Sequence, residues 1–265
     1  MKFSTYLLML SIFVTSCTNS LTGVVSTKEV GSPTPSAATS PSPAGTKRVS
    51  VLSPKADRTV YLVGEVGSNA FTIADQITRL GQESKEPIYL VEVSPGGSVL
   101  AGGQIIAAME SSPAPVYTIC HILCASMAAM IFEYGTQRYV GDRTFLMFHP
   151  AAGSAEGELD KMISRMVSMQ RYIGKMEAYA GTKANLTFEQ YKAKASVENW
   201  IDGEDAVNSG FADHIATVYL PKNSPLSGTF GAKAIYDAIF TRSYTNLPTQ
   251  HNWIVRPEDL KWLRF

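Results

Sequence analysis

Hydrophobic positions form two kinds of run from about residue 58 onward. Short runs rich in β-branched and aromatic residues predict buried strands, as in TVYLVGEV (59–66), PIYLVEV (87–93) and PVYTIC (115–120). Between them, apolar residues recur at helical spacing, as in AFTIADQITRLGQES (70–84). This alternation predicts an α/β fold in which β-α-β units form mainly parallel sheets with surrounding helices.

The remaining elements are predicted by the same rules. Two further helices are expected to follow strands directly, at 98–111 and 125–135, the second ending at Gly135 as helix C-termini prefer. Short strands are expected at 137–141, 143–148 and 211–220, and short helices at 187–195 and 202–210. Thr187 and Gln190 have the spacing of a capping box for the helix that follows them.

One long helix is predicted over 157–182, and it has an apolar stripe rich in methionine. The stripe consists of Leu159, Met162, Met166, Met169, Ile173 and Met176. Methionine is a flexible apolar side chain that suits cores and adaptable contact surfaces. The stripe therefore packs on the parent domain, on another subunit, or on both.

The N-terminus has the order of an export signal: Lys2, an apolar run over 6–14, and then small residues. The run is too short to span a bilayer comfortably as a permanent helix. The sequence VTSC at 14–17 resembles the lipobox of bacterial lipoproteins, which predicts a signal peptide over 1–17 and lipidation at Cys17. The protein would then be exported and lipid-anchored to a bacterial cell membrane, on its periplasmic or outer face. An ordinary secretory signal with a coincidental cysteine is the alternative.

Three further regions follow from composition. Residues 18–50 are rich in Ser, Thr and Pro and bury little apolar surface, which predicts a disordered linker. The folded domain is expected over 51–221, and 222–265 is a C-terminal extension. That extension contains a helical pattern at 231–240 and an aromatic end, which either docks on a partner or packs back on the domain; the second is favoured.

Composition excludes several classes of function. Net charge is zero at neutral pH, so nothing points to a nucleic-acid partner. The histidines are scattered and no paired Cys-x-x-Cys occurs, so we expect neither a metal nor another cofactor. Cys120 and Cys124 could pair in an oxidising compartment, but buried thiols are the favoured interpretation.

Candidate chemistry lies where predicted strands give way to helices. Ser126 follows a strand and opens a helix, so it is either a helix cap or an exposed nucleophile at the carboxyl edge of a parallel sheet. Gly96 and Gly97 form a turn in SPGGSV, and amides at such a helix start can hold a negative oxygen. A serine nucleophile needs a base, and His149 ends a strand of the same predicted sheet. Glu198 is the candidate to orient that imidazole, with Asp202 as the alternative.

Four blocks together resemble the Clp protease proteolytic subunit family: VSPGGSV, ICHILCASMAAMI, FLMFHP and WIDGEDAVNSGFADHI. The resemblance runs from about residue 59 to 219. It implies the fold shared with enoyl-CoA hydratases and a serine endopeptidase with a Ser-His-acid triad. By this resemblance Ser126 is the nucleophile, His149 the general base and Glu198 the acid, where the family usually has aspartate.

The resemblance also implies an oxyanion hole and an assembly. Gly97, with Gly96 beside it, and Met127 resemble the backbone donors of the family's oxyanion hole. The long helix resembles the family's ring-to-ring contact helix, so a homo-oligomer is expected. Family members usually work with an ATP-driven unfoldase, but an exported lipoprotein would meet no ATP outside the inner membrane. This sequence also contains no Walker-type phosphate loop, so the chain is not its own motor. The implied substrate is therefore a peptide or an unfolded protein, cleaved by this protein acting alone.

Two other functions remain open at this stage. An acyl-CoA-processing enzyme of the same superfamily would use the glycine amides without a triad, and the presence of both Ser126 and His149 argues against it. A non-catalytic binding or scaffold lipoprotein would retain the fold alone, and the glutamate at position 198 keeps this alternative open.

Overall fold

A computed structural model describes residues 48–226 of the chain. In this part the strands join into one eight-stranded sheet, whose main path runs β1-β8-β5-β4-β3-β2. The strands are β1 (Arg48–Leu52), β2 (Thr59–Val63), β3 (Ile88–Ser94), β4 (Val116–Ala125), β5 (Gln137–Val140), β6 (Phe145–Phe148), β7 (Asn199–Asp202) and β8 (His214–Val218). All pairs are parallel except β6 with β7, so the predicted mainly parallel α/β fold is confirmed.

Six helices accompany the sheet in the described residues. They are α1 (Ala70–Glu83), α2 (Val99–Ser111), α3 (Met127–Glu133), α4 (Leu159–Lys183), α5 (Phe188–Lys194) and α6 (Gly203–Asn208). The capping box predicted for α5 is present in both directions. None of these helices combines the length and apolar character needed to cross a bilayer.

The first strand lies partly in the segment predicted as linker. β1 begins at Arg48 and pairs in parallel with β8, so residues 48–50 are part of the sheet. The reason is the run RVSVL, whose alternating apolar residues suit an edge strand, although the polar residues before it obscure the signal. The rest of the predicted linker, the signal peptide and Cys17 lie outside the described residues.

A bulge in β4 changes the strand with which the end of β4 pairs. The pairing with β3 moves from Glu92 opposite Cys120 to Ser94 opposite Cys124, so four steps on β4 match two on β3. Such a bulge redirects a strand and commonly lies beside a functional site. After the bulge β4 pairs with β6 instead of β5, which brings the end of β6 beside Ala125.

The core lies between the sheet and its helices and contains side chains from every layer. The largest fully buried apolar side chains of this core are Phe132, Phe211, Leu62, Ile77, Ile88, Leu90, Ile105, Ile131 and Leu146. Each such side chain stabilises the fold by roughly 1.5–3 kcal/mol relative to an exposed one. This packing fixes the strand ends that carry the candidate site.

A buried cation ties three elements together near the end of α3. Arg138 on β5 is 2% exposed and donates to the carboxylates of Glu133 and Asp213, the latter at 2.8 and 3.1 Å. A further bond reaches the carbonyl of Lys183 at the end of α4. Bidentate arginine pairs are geometrically specific, so this network holds β5, α3 and α4 in register.

The first residues of the C-terminal extension return to the domain. Leu226 is buried in a second apolar cluster with Val91, Val93 and Ile119, on the other side of the sheet. The first residues of the predicted extension, up to Leu226, thus pack on the domain. The predicted helix at 231–240 and the aromatic end lie outside the described residues.

Candidate active site

Ser126 has the backbone of a strained nucleophile rather than of a helix cap. It joins β4 to α3 with φ 55° and ψ −121°, and its side chain makes no capping hydrogen bond. Positive φ in a residue other than glycine costs on the order of 1–3 kcal/mol and persists where the surroundings enforce it. The enforcing contact is the bond from Ser126 N–H to the Met147 carbonyl of β6, at 2.7 Å. The serine hydroxyl is thereby turned out of the helix axis.

The imidazole of His149 lies beside that hydroxyl. Its Nε2 lies 2.8 Å from Ser126 Oγ, within hydrogen-bond range. The register explains the contact, since Ala125 pairs with Met147 and the two reactive residues follow shortly after on neighbouring strands. Pro150 comes next and ends the strand, because proline has no N–H to continue the ladder. The structure thus brings the predicted nucleophile and base together.

Gly96 packs against the nucleophile so closely that only glycine fits there. Its φ is 94°, and a Cβ at this position would lie 2.6 Å from Ser126 Cβ and 2.6 Å from the Ala125 carbonyl. The Gly96 N–H donates to Ser94 Oγ at 3.1 Å, so this amide is already bound. This bond occupies the Gly96 amide that was predicted to line an oxyanion hole beside Gly97, so what the structure shows for Gly96 is its close approach to Ser126.

Gly97 and Met127 remain as the amide donors. Gly97 has φ 148° and forms an isolated parallel bridge with Val66, while Ser98 N–H donates to the Val66 carbonyl at 2.8 Å. Within residues 48–226 neither the Gly97 N–H nor the Met127 N–H donates a hydrogen bond. Met127 is the first residue of α3, where backbone N–H groups lack intrahelical partners. Among the described residues, both of these backbone donors are thus left without an acceptor.

Glu198 lies opposite the histidine in strand register but is bonded elsewhere. The antiparallel pairing of β6 with β7 places Phe148 opposite Asn199, and one further step places position 198 opposite position 149. The Glu198 carboxylate, however, accepts from the indole N–H of Trp200 at 3.2 Å. No hydrogen bond joins Glu198 to His149 among the residues that the structure describes.

Asp202, the alternative acid, has another role. It pairs with Phe145 at the far end of β7 from Asn199, and its carboxylate caps α6 by accepting from Asp205 N–H at 2.9 Å. A carboxylate so placed satisfies a helix N-terminus and is remote from position 149 in the register. The geometry favours Glu198 over Asp202 as the acid.

A buried carboxyl and two thiols lie beneath the site. Glu92 on β3 is 0% exposed, and within residues 48–226 neither of its carboxyl oxygens has a hydrogen-bond partner. Burial, helped by nearby Glu133, raises the pKa of Glu92 well above its usual range. Burial also raises the pKa of the Cys120 and Cys124 thiols, which are free and fully buried. The favoured interpretation of these cysteines as buried thiols agrees with this environment.

Two residues near the site were not identified from the sequence. Ser94 fixes the glycine turn, and the Ser-x-Gly spacing was a signal available for it. Trp200 binds Glu198, but no pattern in the sequence indicates which acid an exposed indole will contact. Among the described residues, no group of three or more His, Cys, Asp or Glu side chains could hold a metal ion.

Comparison with known proteins adds sequence evidence to this geometry. A family model described as Clp protease matches residues 46–219. The ATP-dependent Clp protease proteolytic subunit 1 of Leifsonia xyli is 30% identical over 166 residues, which cover 60% of this chain and 83% of the relative. The corresponding subunit of Lactococcus lactis subsp. cremoris is 28% identical over 165 residues, covering 60% and 83%. Subunit 2 of Prochlorococcus marinus is 29% identical over 167 residues, covering 61% and 84%.

Proposed function

Because the chain belongs to the Clp protease family, we propose that it is a serine endopeptidase with Ser126 as its nucleophile. The observation that carries the proposal is the 2.8 Å contact between Ser126 Oγ and His149 Nε2. Family membership supports the reaction class, and the contact supports the assignment of these two residues. A fold retained without catalysis would not require a strained serine aimed at an imidazole.

The first half of the reaction forms an acyl-enzyme. Ser126 Oγ attacks the carbonyl carbon of the scissile peptide bond while His149 Nε2 takes the hydroxyl proton. The carbonyl oxygen becomes an oxyanion. Collapse of this intermediate breaks the C–N bond, and the leaving amine takes the proton from His149. In the second half, water gives a proton to His149 and attacks the ester, and Ser126 recovers its proton as the acid product leaves.

The two free amides suit the oxyanion. Gly97 N–H follows the glycine that packs on Ser126, Met127 N–H follows Ser126 in the chain, and neither is bound to another acceptor in the described residues. Preorganised donors of this kind each contribute roughly 3 kcal/mol to transition-state stabilisation. Since Gly96 N–H is bound to Ser94, we assign it no share of that stabilisation.

Glu198 is assigned as the acid that orients His149. When Nε2 accepts the serine proton, Nδ1 must carry a hydrogen, and a carboxylate at that nitrogen fixes the tautomer and stabilises the imidazolium. The register of β7 supports position 198 for this role. Glutamate has one more methylene than the family's usual aspartate, so its carboxylate has more freedom.

Labelling with a fluorophosphonate probe tests the proposal. We expect covalent modification at Ser126, lost in Ser126→Ala and retained in Ser98→Ala. Ser98 is a fair control because its hydroxyl caps α2 by accepting from Ala101 N–H. Folded protein that takes no label at neutral pH would support the non-catalytic alternative instead.

The substrate and the assembly are further proposals. The names of the relatives describe proteolytic subunits, which supports a peptide or unfolded-protein substrate and a homo-oligomer. On α4, Leu159, Ile163 and Met166 are 67, 52 and 55% exposed, an unusual density of apolar surface on one helix. We expect Met166→Glu to reduce the assembly size measured by light scattering. Ser168→Glu, on the opposite side of the helix, should leave it unchanged.

The N-terminal pattern supports a proposal about location. Export and lipidation at Cys17 would anchor the folded domain to a bacterial membrane through the segment before β1. Mass spectrometry of the mature N-terminus tests this directly, since a diacylated Cys17 and a cleaved, unmodified N-terminus differ by the mass of the lipid. Cys17→Ala should abolish the added mass if the proposal is correct.

A further inference from the structure

Trp200 stands in an unusual position relative to the proposed acid. It lies on β7, and Glu198 immediately precedes that strand, so the two residues are two positions apart in the chain. Its indole N–H donates to Glu198 Oε2 at 3.2 Å. The longer side chain of glutamate gives the carboxylate the freedom to reach the indole.

The same residue is the next one beyond the ladder of β6 and β7, as His149 is on the other strand, because the last pair of that ladder is Phe148 with Asn199. Glu198 therefore has one donor that it contacts, the Trp200 indole N–H, and a second donor that its position beside the end of the ladder suggests, the hydrogen on His149 Nδ1. In this structure it accepts from the indole, and within the described residues no bond joins it to the imidazole. Both Glu198 and Trp200 are exposed, with Trp200 at 50%, so solvent weakens the bond and makes it reversible.

We propose that Trp200 is a positioning residue that competes with His149 for Glu198 and so lowers the resting reactivity of Ser126. In the resting molecule, the indole holds the carboxylate, and the serine–histidine pair works without its acid. When the indole releases it, the carboxylate turns to Nδ1 and the triad is complete. This inference rests on the proposed function, because it assigns Glu198 to the acid role.

Trp200→Phe is the informative variant because it removes the N–H and retains an aromatic ring on the sheet. The fluorophosphonate labelling rate of Ser126 and kcat for a fluorogenic peptide should each rise by about three- to tenfold, equivalent to roughly 0.7–1.4 kcal/mol. KM should stay within about twofold, since the change affects the reactivity of the serine and not substrate binding.

A double-mutant cycle separates competition from a general structural role. In a Glu198→Gln background the carboxylate is absent, so adding Trp200→Phe should change neither rate. Phe145→Leu serves as the matched control, because Phe145 is another exposed aromatic (47%) and pairs with Asp202, at the end of β7 away from Glu198. We expect it to leave the labelling rate unchanged.

The hydrogen bond itself has a readout that does not depend on activity. The indole ¹H–¹⁵N resonance of Trp200, identified by its absence in Trp200→Phe, should shift in Glu198→Gln. An unchanged resonance would overturn the inference, as would a Trp200→Phe rate that falls or stays the same, or one that rises equally in the Glu198→Gln background. Failure of the proposed function looks different: wild-type protein would take no label at Ser126 at all.

Discussion

Ser126 Oγ lies 2.8 Å from His149 Nε2 because β4 and β6 are hydrogen-bonded neighbours immediately before the two residues. The bulge in β4 makes this pairing possible, since it moves β4 from β5 to β6 along its length. The positive φ of Ser126 then turns its side chain toward the end of β6. A contact between residues 23 positions apart thus depends on one irregularity in one strand.

Loss of the imidazole should remove the base. We expect His149→Ala to lower kcat for peptide hydrolysis by at least about a thousandfold, because an unassisted serine hydroxyl is a weak nucleophile. Initial-rate kinetics measure this directly. His121→Gln is the control, since His121 is another half-buried histidine, on β4 five residues before Ser126. Equal activity in both variants would contradict the assignment of the base.

A methyl group at Gly96 should damage both the fold and the site. Gly96→Ala forces a Cβ to within 2.6 Å of Ser126 Cβ at φ 94°, so we expect a stability loss on the order of 1–3 kcal/mol. The accompanying displacement of Met127 N–H should lower kcat by about a hundredfold.

Gly67→Ala provides the comparison for this glycine. A Cβ there meets nothing within 4 Å and φ is not in the left-handed region. Thermal unfolding and kinetics should place Gly67→Ala close to wild type. If Gly96→Ala behaved the same way, the conclusion that the glycine turn lies too close to Ser126 to admit a side chain would be incorrect.

Substitutions at the two candidate acids should affect different properties, namely kcat for Glu198 and the stability of the fold for Asp202. Glu198→Gln should lower kcat by on the order of tenfold to a hundredfold while the midpoint of thermal unfolding stays near that of wild type. Asp202→Ala should keep kcat within about threefold but destabilise the fold by about 1 kcal/mol, because it removes the cap of α6. The reverse assignment would follow if Asp202→Ala were the variant with reduced kcat.

Buried Glu92 should make the protein less stable as pH rises. Its folded pKa lies well above that of the unfolded chain because burial penalises the charged form. The folded state therefore holds a proton that the unfolded state releases above about pH 4.3. The free energy of unfolding should fall by at most about 1.4 kcal/mol per pH unit from this group, between its unfolded and folded pKa values.

Glu92→Gln isolates that contribution, since the amide does not titrate in this range. Denaturant unfolding at pH 5, 6, 7 and 8 should show a shallower decline in the variant than in wild type. Taking the difference between the two proteins cancels other titrating groups, including His121, whose pKa burial lowers. Parallel curves for the two proteins would show that Glu92 keeps one protonation state in folded and unfolded chains.

The sequence predicted the alternating elements well because their signals are local. Helix α1, expected at 70–84, was observed over Ala70–Glu83, and the capping box at Thr187 marked the start of α5. Strand β1 was missed because five residues beside a polar segment carry little periodicity. The antiparallel pairing of β6 with β7 was not foreseen, since pairing direction depends on tertiary packing rather than on local pattern.

In the candidate site, too, the features with local signals were predicted and those that depend on tertiary packing were not. Ser126 and His149 were predicted from their places at strand ends and from the family resemblance. The use of the Gly96 N–H by Ser94 and of the Glu198 carboxylate by Trp200 depends on individual side-chain rotamers, which no spacing in the sequence encodes. The sequence also did not predict that Glu92 is buried without a hydrogen-bond partner among the described residues. A single glutamate in an apolar strand is normally expected to face solvent.

Cleavage of an unfolded protein substrate by the purified chain tests the central claim most directly. We predict that wild type releases new N-terminal amines from such a substrate, and that Ser126→Ala abolishes the release. Ser111→Ala, which changes an exposed hydroxyl bonded within α2, should retain it. Peptide-bond cleavage that persists in Ser126→Ala, or that is absent from folded wild-type protein, would contradict the account.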